Sequence, residues 1–304
     1  RCLAAMKGVN LIAVVDSDAA RCHEVAARFE CLPVTSISDL PHVDAAIVAV
    51  PSALHAEVGC ALMERGVHCL IEKPLALDRT EAELLIDAAD SANVVLQVGH
   101  IERFNPAVRQ LKELLEDELV LVTNARRMSA VSGRVTDIDV VMDLMVHDLD
   151  IMLFLMGDSI DSIEARAVTG PSGPDHVTAL LSFQDGRLAS LTASRITQNQ
   201  IRQLEVTTKD RFFTVDYPNQ ELLIFRQGRI GVDGSDASEG RYALDVDTKR
   251  VFVRRTEPLV TELQHFLGVV RGTHDNEVDG RGALRALDLV WAVQGRLQGS
   301  ADGS

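Results

Sequence analysis

Val67-His-Cys-Leu-Ile-Glu-Lys-Pro74 is a short apolar run that stops in an acid, a base and a proline. Three runs of the same kind accompany it: Leu11-Ile-Ala-Val-Val-Asp16, Ala45-Ala-Ile-Val-Ala-Val50 before Pro51, and Val94-Val-Leu-Gln-Val98. Unbroken apolar runs this short read as strands buried on both faces. Helical spacing fills the intervals at 18–29, 53–65 and 79–91. Gly66 stands where a helix ends, and Thr80 with Glu83 three residues on has the pattern of a capping box. Strands alternating with helices predict right-handed crossovers and a doubly wound parallel sheet. Such sheets hold ligands at the carboxyl ends of their strands, which singles out the residues just after each run.

The second half reads differently. A helix at 104–117 precedes strand-like segments at 119–128, 160–168, 176–184, 187–195, 201–208, 211–216, 221–226 and 250–254. Tight turns such as Gln184-Asp-Gly186 separate several of them, which predicts a mostly antiparallel open sheet in an α+β domain. A helix at 139–156 interrupts the strands, and helices at 257–271 and 280–297 close the chain. Gly228 to Gly240 reads as an exposed loop and Gln298 to Ser304 as a disordered tail. The expected domains are 1–100 and 101–304.

Composition narrows the partners. With 304 residues, 46% of them hydrophobic, the chain can bury two ordinary cores. Its net charge of −15 repels nucleic acid and anionic membranes. No apolar run reaches the ~18 residues of a membrane span, and no basic segment followed by an apolar one marks a secretory leader. Cys2, Cys22, Cys31, Cys60 and Cys69 are odd in number and form no CxxC pair, so they read as free thiols in a reducing cytoplasm.

The strand ends supply the candidate chemistry. Asp16 stands where a dinucleotide fold places the acid that accepts hydrogen bonds from ribose hydroxyls; it favours NAD over NADP, and the nearby Arg21 weakens that preference. The plainer reading of Asp16 is a solvated acid opening the next helix. Pro51, Ser52 and His55 follow the second run, with Ser52 able to cap a helix. Glu72-Lys73-Pro74 puts a lysine where a ligand would sit, able to bind a substrate hydroxyl or act as a base. Gly99-His100-Ile-Glu-Arg103-Phe104-Asn105-Pro106 adds a guanidinium fork at Arg103 suited to carboxylate or phosphate; Asn105 reads equally as a helix cap. Asp143 and His147, four apart in an expected helix with Asp148 and Asp150 close by, read as a base with an orienting carboxylate, as a surface ion pair or, third, as part of a metal site. No zinc-type spacing accompanies them, so no metal site is expected.

The strand ending in Asp16, Pro51-Ser-x-x-His55, Glu72-Lys-Pro74 and Asp143-x-x-x-His147 follow the order and spacing of the Gfo/Idh/MocA oxidoreductases, which this chain resembles over nearly its whole length. The resemblance implies an N-terminal Rossmann domain, an α/β substrate domain whose open sheet makes homodimer or homotetramer contacts, and hydride transfer between a sugar carbon and NAD. It implies that Lys73 binds the reacting hydroxyl, Asp143 positions it and His147 moves the proton. Asp16, Arg21, Pro51, Ser52, His55, Glu72 and Lys73 would then border the cofactor, and His100, Arg103 and Asn105 the substrate. Val98 to Pro106 is similar to the subgroup acting on nucleotide-linked amino sugars, with oxidation expected at C3 of a UDP-sugar. Free-sugar or inositol oxidation, and a non-catalytic sugar- or nucleotide-binding role, are the alternatives. The first strand and its GxGxxG turn are not in the sequence; residues 1–8 read as the end of the first helix, with about 20–25 residues expected upstream.

Overall fold

The computed structural model describes residues 1–130, 138–170, 173–227, 231–232, 242–243 and 246–298. It divides into two compact units, Arg1–Ile101 with Glu257–Asp288, and Glu102–Thr256 with Leu289–Ser304.

The first unit opens with α1 (Cys2–Ala5), β1 (Ala13–Val15), α2 (Ala19–Phe29) and β2 (Leu32–Val34). It continues with β3 (Ala45–Val48), α3 (His55–Met63), β4 (His68–Glu72), α4 (Arg79–Ala92) and β5 (Leu96–Gly99). Every strand pair in it is parallel, with β1 on β2 and β4 between β3 and β5. The two-stranded sheet β1-β2 and the three-stranded sheet β3-β4-β5 are separate, and helices join successive strands as in a doubly wound fold. Strand β2 was not expected, because Pro33 leaves too few apolar neighbours to read as a run.

Two helix starts differ from expectation. α4 begins at Arg79, so Thr80 lies inside its first turn; Asp78 caps it by accepting from the Glu81 amide, and the Glu81 carboxylate accepts from the Leu77 amide. The box therefore sits two residues before Thr80–Glu83. After β3 a 3-10 turn, Ser52–Leu54, precedes α3, and Ser52 makes no capping hydrogen bond.

The second unit begins in a 3-10 turn, Ile101–Phe104, followed by α5 (Pro106–Leu114) and β6 (Val122–Met128). A π-turn, Val141–Met145, leads into α6 (Val146–Met156). Then come β7 (Ile160–Gly170), β8 (Gly173–Phe183), β9 (Leu188–Ser194), β10 (Ile201–Thr207), β11 (Phe212–Asp216) and β12 (Glu221–Gln227). β13 (Gly231–Val232) pairs with β14 (Tyr242–Ala243), and β15 (Val246–Arg250) ends the series. The eight-stranded sheet runs β15-β12-β11-β10-β6-β9-β8-β7, antiparallel except where β6 meets β9. Along β6, residues alternate between buried and half-buried, and α6 lies on the buried side of β6 and β9. Gly186 takes φ +85° in the expected β8–β9 turn, a conformation suited to glycine.

Helices α7 (Pro258–Val270) and α8 (Gly280–Gln298) complete the chain. α7 belongs to the first unit, not to the 101–304 domain expected: its Leu263 and Phe266 pack with Leu70 and Cys2. Burial of that apolar face, which sequence proximity does not reveal, decides the assignment. The strand expected at 250–254 forms at 246–250, where its register with β12 pairs Arg250 with Leu223. The expected loop 228–240 lies outside the described residues apart from Gly231–Val232, and the tail lies outside them beyond Gln298.

Candidate active site

In the first unit the carboxyl ends of the parallel strands carry the polar groups. Asp16 follows β1 and binds Arg21 through both oxygens, at 2.6 Å from Nε and 2.8 Å from Nη2; it also accepts the Asp18 amide at 2.9 Å. The Arg21 guanidinium, with the Asp18 amide behind it, holds the Asp16 carboxyl below its usual range. Asp18, not Asp16, caps α2, so the helix-opening reading of Asp16 falls away.

After β3, Pro51 is exposed and Ser52 half-buried in the 3-10 turn. His55 is 1% exposed, with Nδ1 2.8 Å from the Pro74 carbonyl oxygen and Nε2 3.0 Å from that of Val50. It ties the turn after β3 to the turn after β4. There the Lys73–Pro74 peptide is cis and Lys73 is half-buried. Glu72 lies across β5: a Cβ at Gly99 would come within 2.8 Å of its Oε2, so the close approach requires glycine. Burial pushes the Glu72 carboxyl up. Glu262, on α7, is 1% exposed, and its carboxyl is pushed up to about 8 by burial and then by the charge of Glu72. His265, one helical turn on, reaches Gln97 of β5 at 2.9 Å. His100, beyond β5, is buried.

In the second unit, Asp139 accepts from the amides of Val141 and Met142 and starts the π-turn. Asp143 lies within that turn and His147 in the first turn of α6, both half-buried. The π-turn widens the helical spacing that put the two on one face, and π-turns occur often at functional sites. Arg195 Nη2 reaches the Asp143 carboxylate at 3.2 Å and the carbonyls of Ile138 and Asp139 at 2.8 and 3.0 Å. Arg103 forms two bonds with Asp150, both 2.8 Å. Asn105 caps α5 through Oδ1 and donates through Nδ2 to Glu102 and to the Tyr217 carbonyl. Arg127 binds Asp148 through two bonds of 3.0 and 2.9 Å and Glu102 at 2.9 Å. Burial works against the Arg127 charge, but Asp148 and Glu102 outweigh it and hold the guanidinium firmly protonated.

Sequence reasoning missed Arg127, Arg195 and Glu262, and it took Asp148 and Asp150 only as carboxylates beside His147, not as buried partners of arginines. An arginine in or just after a strand reads as a surface residue, and only the distant carboxylate it meets shows otherwise. For the two aspartates a signal existed: they sit among apolar positions of a helix that reads as buried.

The rim's donor set fits a nicotinamide dinucleotide, with a carboxylate after β1 for ribose hydroxyls and an ammonium after β4. Among the described residues no group of His, Cys, Asp or Glu is placed to hold a metal ion. No helix of the described residues is long and apolar enough to cross a membrane.

Known proteins share this fold. The model of the oxidoreductase family with an NAD-binding Rossmann fold matches residues 2–100, and that of the GFO/IDH/MocA C-terminal domain matches 131–211. The UDP-N-acetylglucosamine 3-dehydrogenase of Acidithiobacillus ferrooxidans is 35% identical over 95% of this chain and 91% of its own. A crystal form of that enzyme superposes with a TM-score of 0.88 at 32% identity, covering 98% of this chain and 92% of its own. An inositol 2-dehydrogenase of Rhodococcus jostii is 30% identical over 60% of this chain and 54% of its own. The WlbA dehydrogenase of Bordetella pertussis, solved with NADH and UDP-GlcNAcA, shares the fold at a TM-score of 0.78 and 18% identity, covering 98% of this chain and 91% of its own. From its parallel NAD-binding sheet to its mixed C-terminal sheet, this chain belongs to the Gfo/Idh/MocA family of oxidoreductases.

Proposed function

We propose that this chain oxidises the C3 hydroxyl of a UDP-linked N-acetyl amino sugar, with NAD as acceptor. The observation that carries the reading is likeness to a UDP-N-acetylglucosamine 3-dehydrogenase across 95% of the chain, both domains included. The inositol 2-dehydrogenase of Rhodococcus jostii matches only 60% of it.

Bound NAD supplies the hydride acceptor. Lys73 binds the reacting hydroxyl and lowers the cost of its deprotonation. His147 takes the hydroxyl proton, and the carbon gives up a hydride and becomes a ketone. Asp143, itself fixed by Arg195 at 3.2 Å, orients the hydroxyl. Asp16 accepts from ribose hydroxyls and repels a 2′-phosphate, which favours NAD over NADP. The sheet face opposite α6 carries half-buried Phe212 and Phe225, ring centroids 5.7 Å apart, and supports a homo-oligomer contact there.

The test is absorbance at the reduced-nicotinamide band, using the full-length protein, NAD and UDP-N-acetylglucosamine. A rise that Lys73→Met abolishes supports the reading. No rise with this sugar, but a rise with a free polyol, rejects it.

A further inference from the structure

Asp148 and Asp150 lie one and three residues after His147 on α6, and both are almost wholly buried. Two residues along a helix are about 200° apart around its axis, so the carboxylates leave α6 in nearly opposite directions. Asp148 meets Arg127 of β6 through two bonds of 3.0 and 2.9 Å. Asp150 meets Arg103 of the 3-10 turn before α5 through two bonds of 2.8 Å. Glu102, beside Arg103, accepts from Arg127 at 2.9 Å and so joins the two clamps. The Arg103 guanidinium also lies 4.6 Å from the centre of the Phe154 ring, one turn further along α6.

We propose that Arg103 and Arg127 are positioning residues that fix the rotation and height of α6, and with them the imidazole of His147, and that neither binds the substrate. The inference rests on His147 being the proton acceptor of the proposed reaction. A helix gripped from opposite sides cannot turn without breaking one clamp. Each clamp is a planar fork on a carboxylate, which fixes direction as well as distance. Stability alone does not call for such a device. Burying ions costs much of what their attraction returns, and apolar pairs of similar volume often stabilise as well or better. The fork of Arg103 that would suit a substrate phosphate is already on Asp150.

Removing one partner would strand a buried charge, so the test replaces both: Arg103→Met with Asp150→Leu, alongside Arg103→Lys, which keeps the charge and loses the fork. In the double variant, thermal melting should stay near that of the wild type. kcat for UDP-N-acetylglucosamine should fall about tenfold or more while its Kd changes less than about twofold. Amide hydrogen exchange should quicken in α6 and stay unchanged in β7 to β9. Arg103→Lys should show the same split, more weakly. A weakened Kd with kcat retained would make Arg103 a substrate ligand and overturn the inference. Unchanged kcat together with unchanged α6 exchange would overturn it as well. If the wild type does not oxidise UDP-sugars, the proposed function fails separately, and α6 exchange still decides: quickened supports the clamp, unchanged rejects it.

Discussion

His55 bridges two strand ends: its ring nitrogens lie 2.8 Å from the carbonyl oxygen of Pro74 and 3.0 Å from that of Val50. This buried ring holds the turn that carries Lys73 against the turn after β3. His55→Phe keeps a ring and loses its N–H donor, leaving a buried carbonyl unsatisfied. Urea unfolding should show a loss of about 1–3 kcal/mol, with kcat reduced and His55→Asn intermediate. Unchanged stability and kcat would remove His55 from the support of Lys73.

Glu262 gives the first unit a pH dependence. Its carboxyl rises from an ordinary 4.5 to about 8, through burial and the charge of Glu72. Between those values the folded protein keeps a proton that the unfolded chain releases. The stabilisation is complete at low pH and is lost as pH rises through about 8, with a slope of about 1.4 kcal/mol per pH unit. Glu262→Gln should flatten the urea midpoint between pH 5 and 8 on the order of that slope and raise stability above it. An identical pH profile in the variant would refute the assignment.

In the proposed reading the Asp16–Arg21 pair governs the choice between NAD and NADP. Arg21 is 63% exposed in its side chain and Asp16 24%, so removing the acid frees a cation at the ribose end. Asp16→Ser should move the ratio of kcat/KM for NADP over NAD upward by about tenfold or more. Arg21→Ala should move it the other way. Equal ratios in all three proteins would place the ribose elsewhere.

Arg195 anchors Asp143 of the π-turn and two carbonyls just before that turn. Arg195→Met should lower stability by about 1.5–3 kcal/mol and reduce kcat while Kd for NAD is retained. Loss of NAD binding alone would contradict a role for Arg195 at Asp143.

The candidate residues differ in how far their meaning could be read locally. Asp16, Lys73 and His100 follow apolar runs whose burial predicts strands, and a strand's end is a place that topology turns into a rim. Arg103 follows the last of these runs closely in sequence, yet its fork meets Asp150, 47 residues away in the chain. Asn105 could be read as either cap or substrate contact, and it caps α5 while bracing Glu102 and Tyr217. Ser52 had the right residue type for a cap, but a 3-10 turn separates it from α3.

By itself the sequence determined the alternation of buried strands and helices, the change to an antiparallel pattern, and the polar residues at the strand ends. These follow from periodicity and chain direction, which are local. Tertiary structure alone decided that α7 returns to the first unit, that Glu262 keeps its proton beside Glu72, and that two arginines grip α6. Those outcomes depend on which distant groups share a desolvated space. Burial raises the energy of an unpaired charge until a partner of opposite sign, or a proton, meets it.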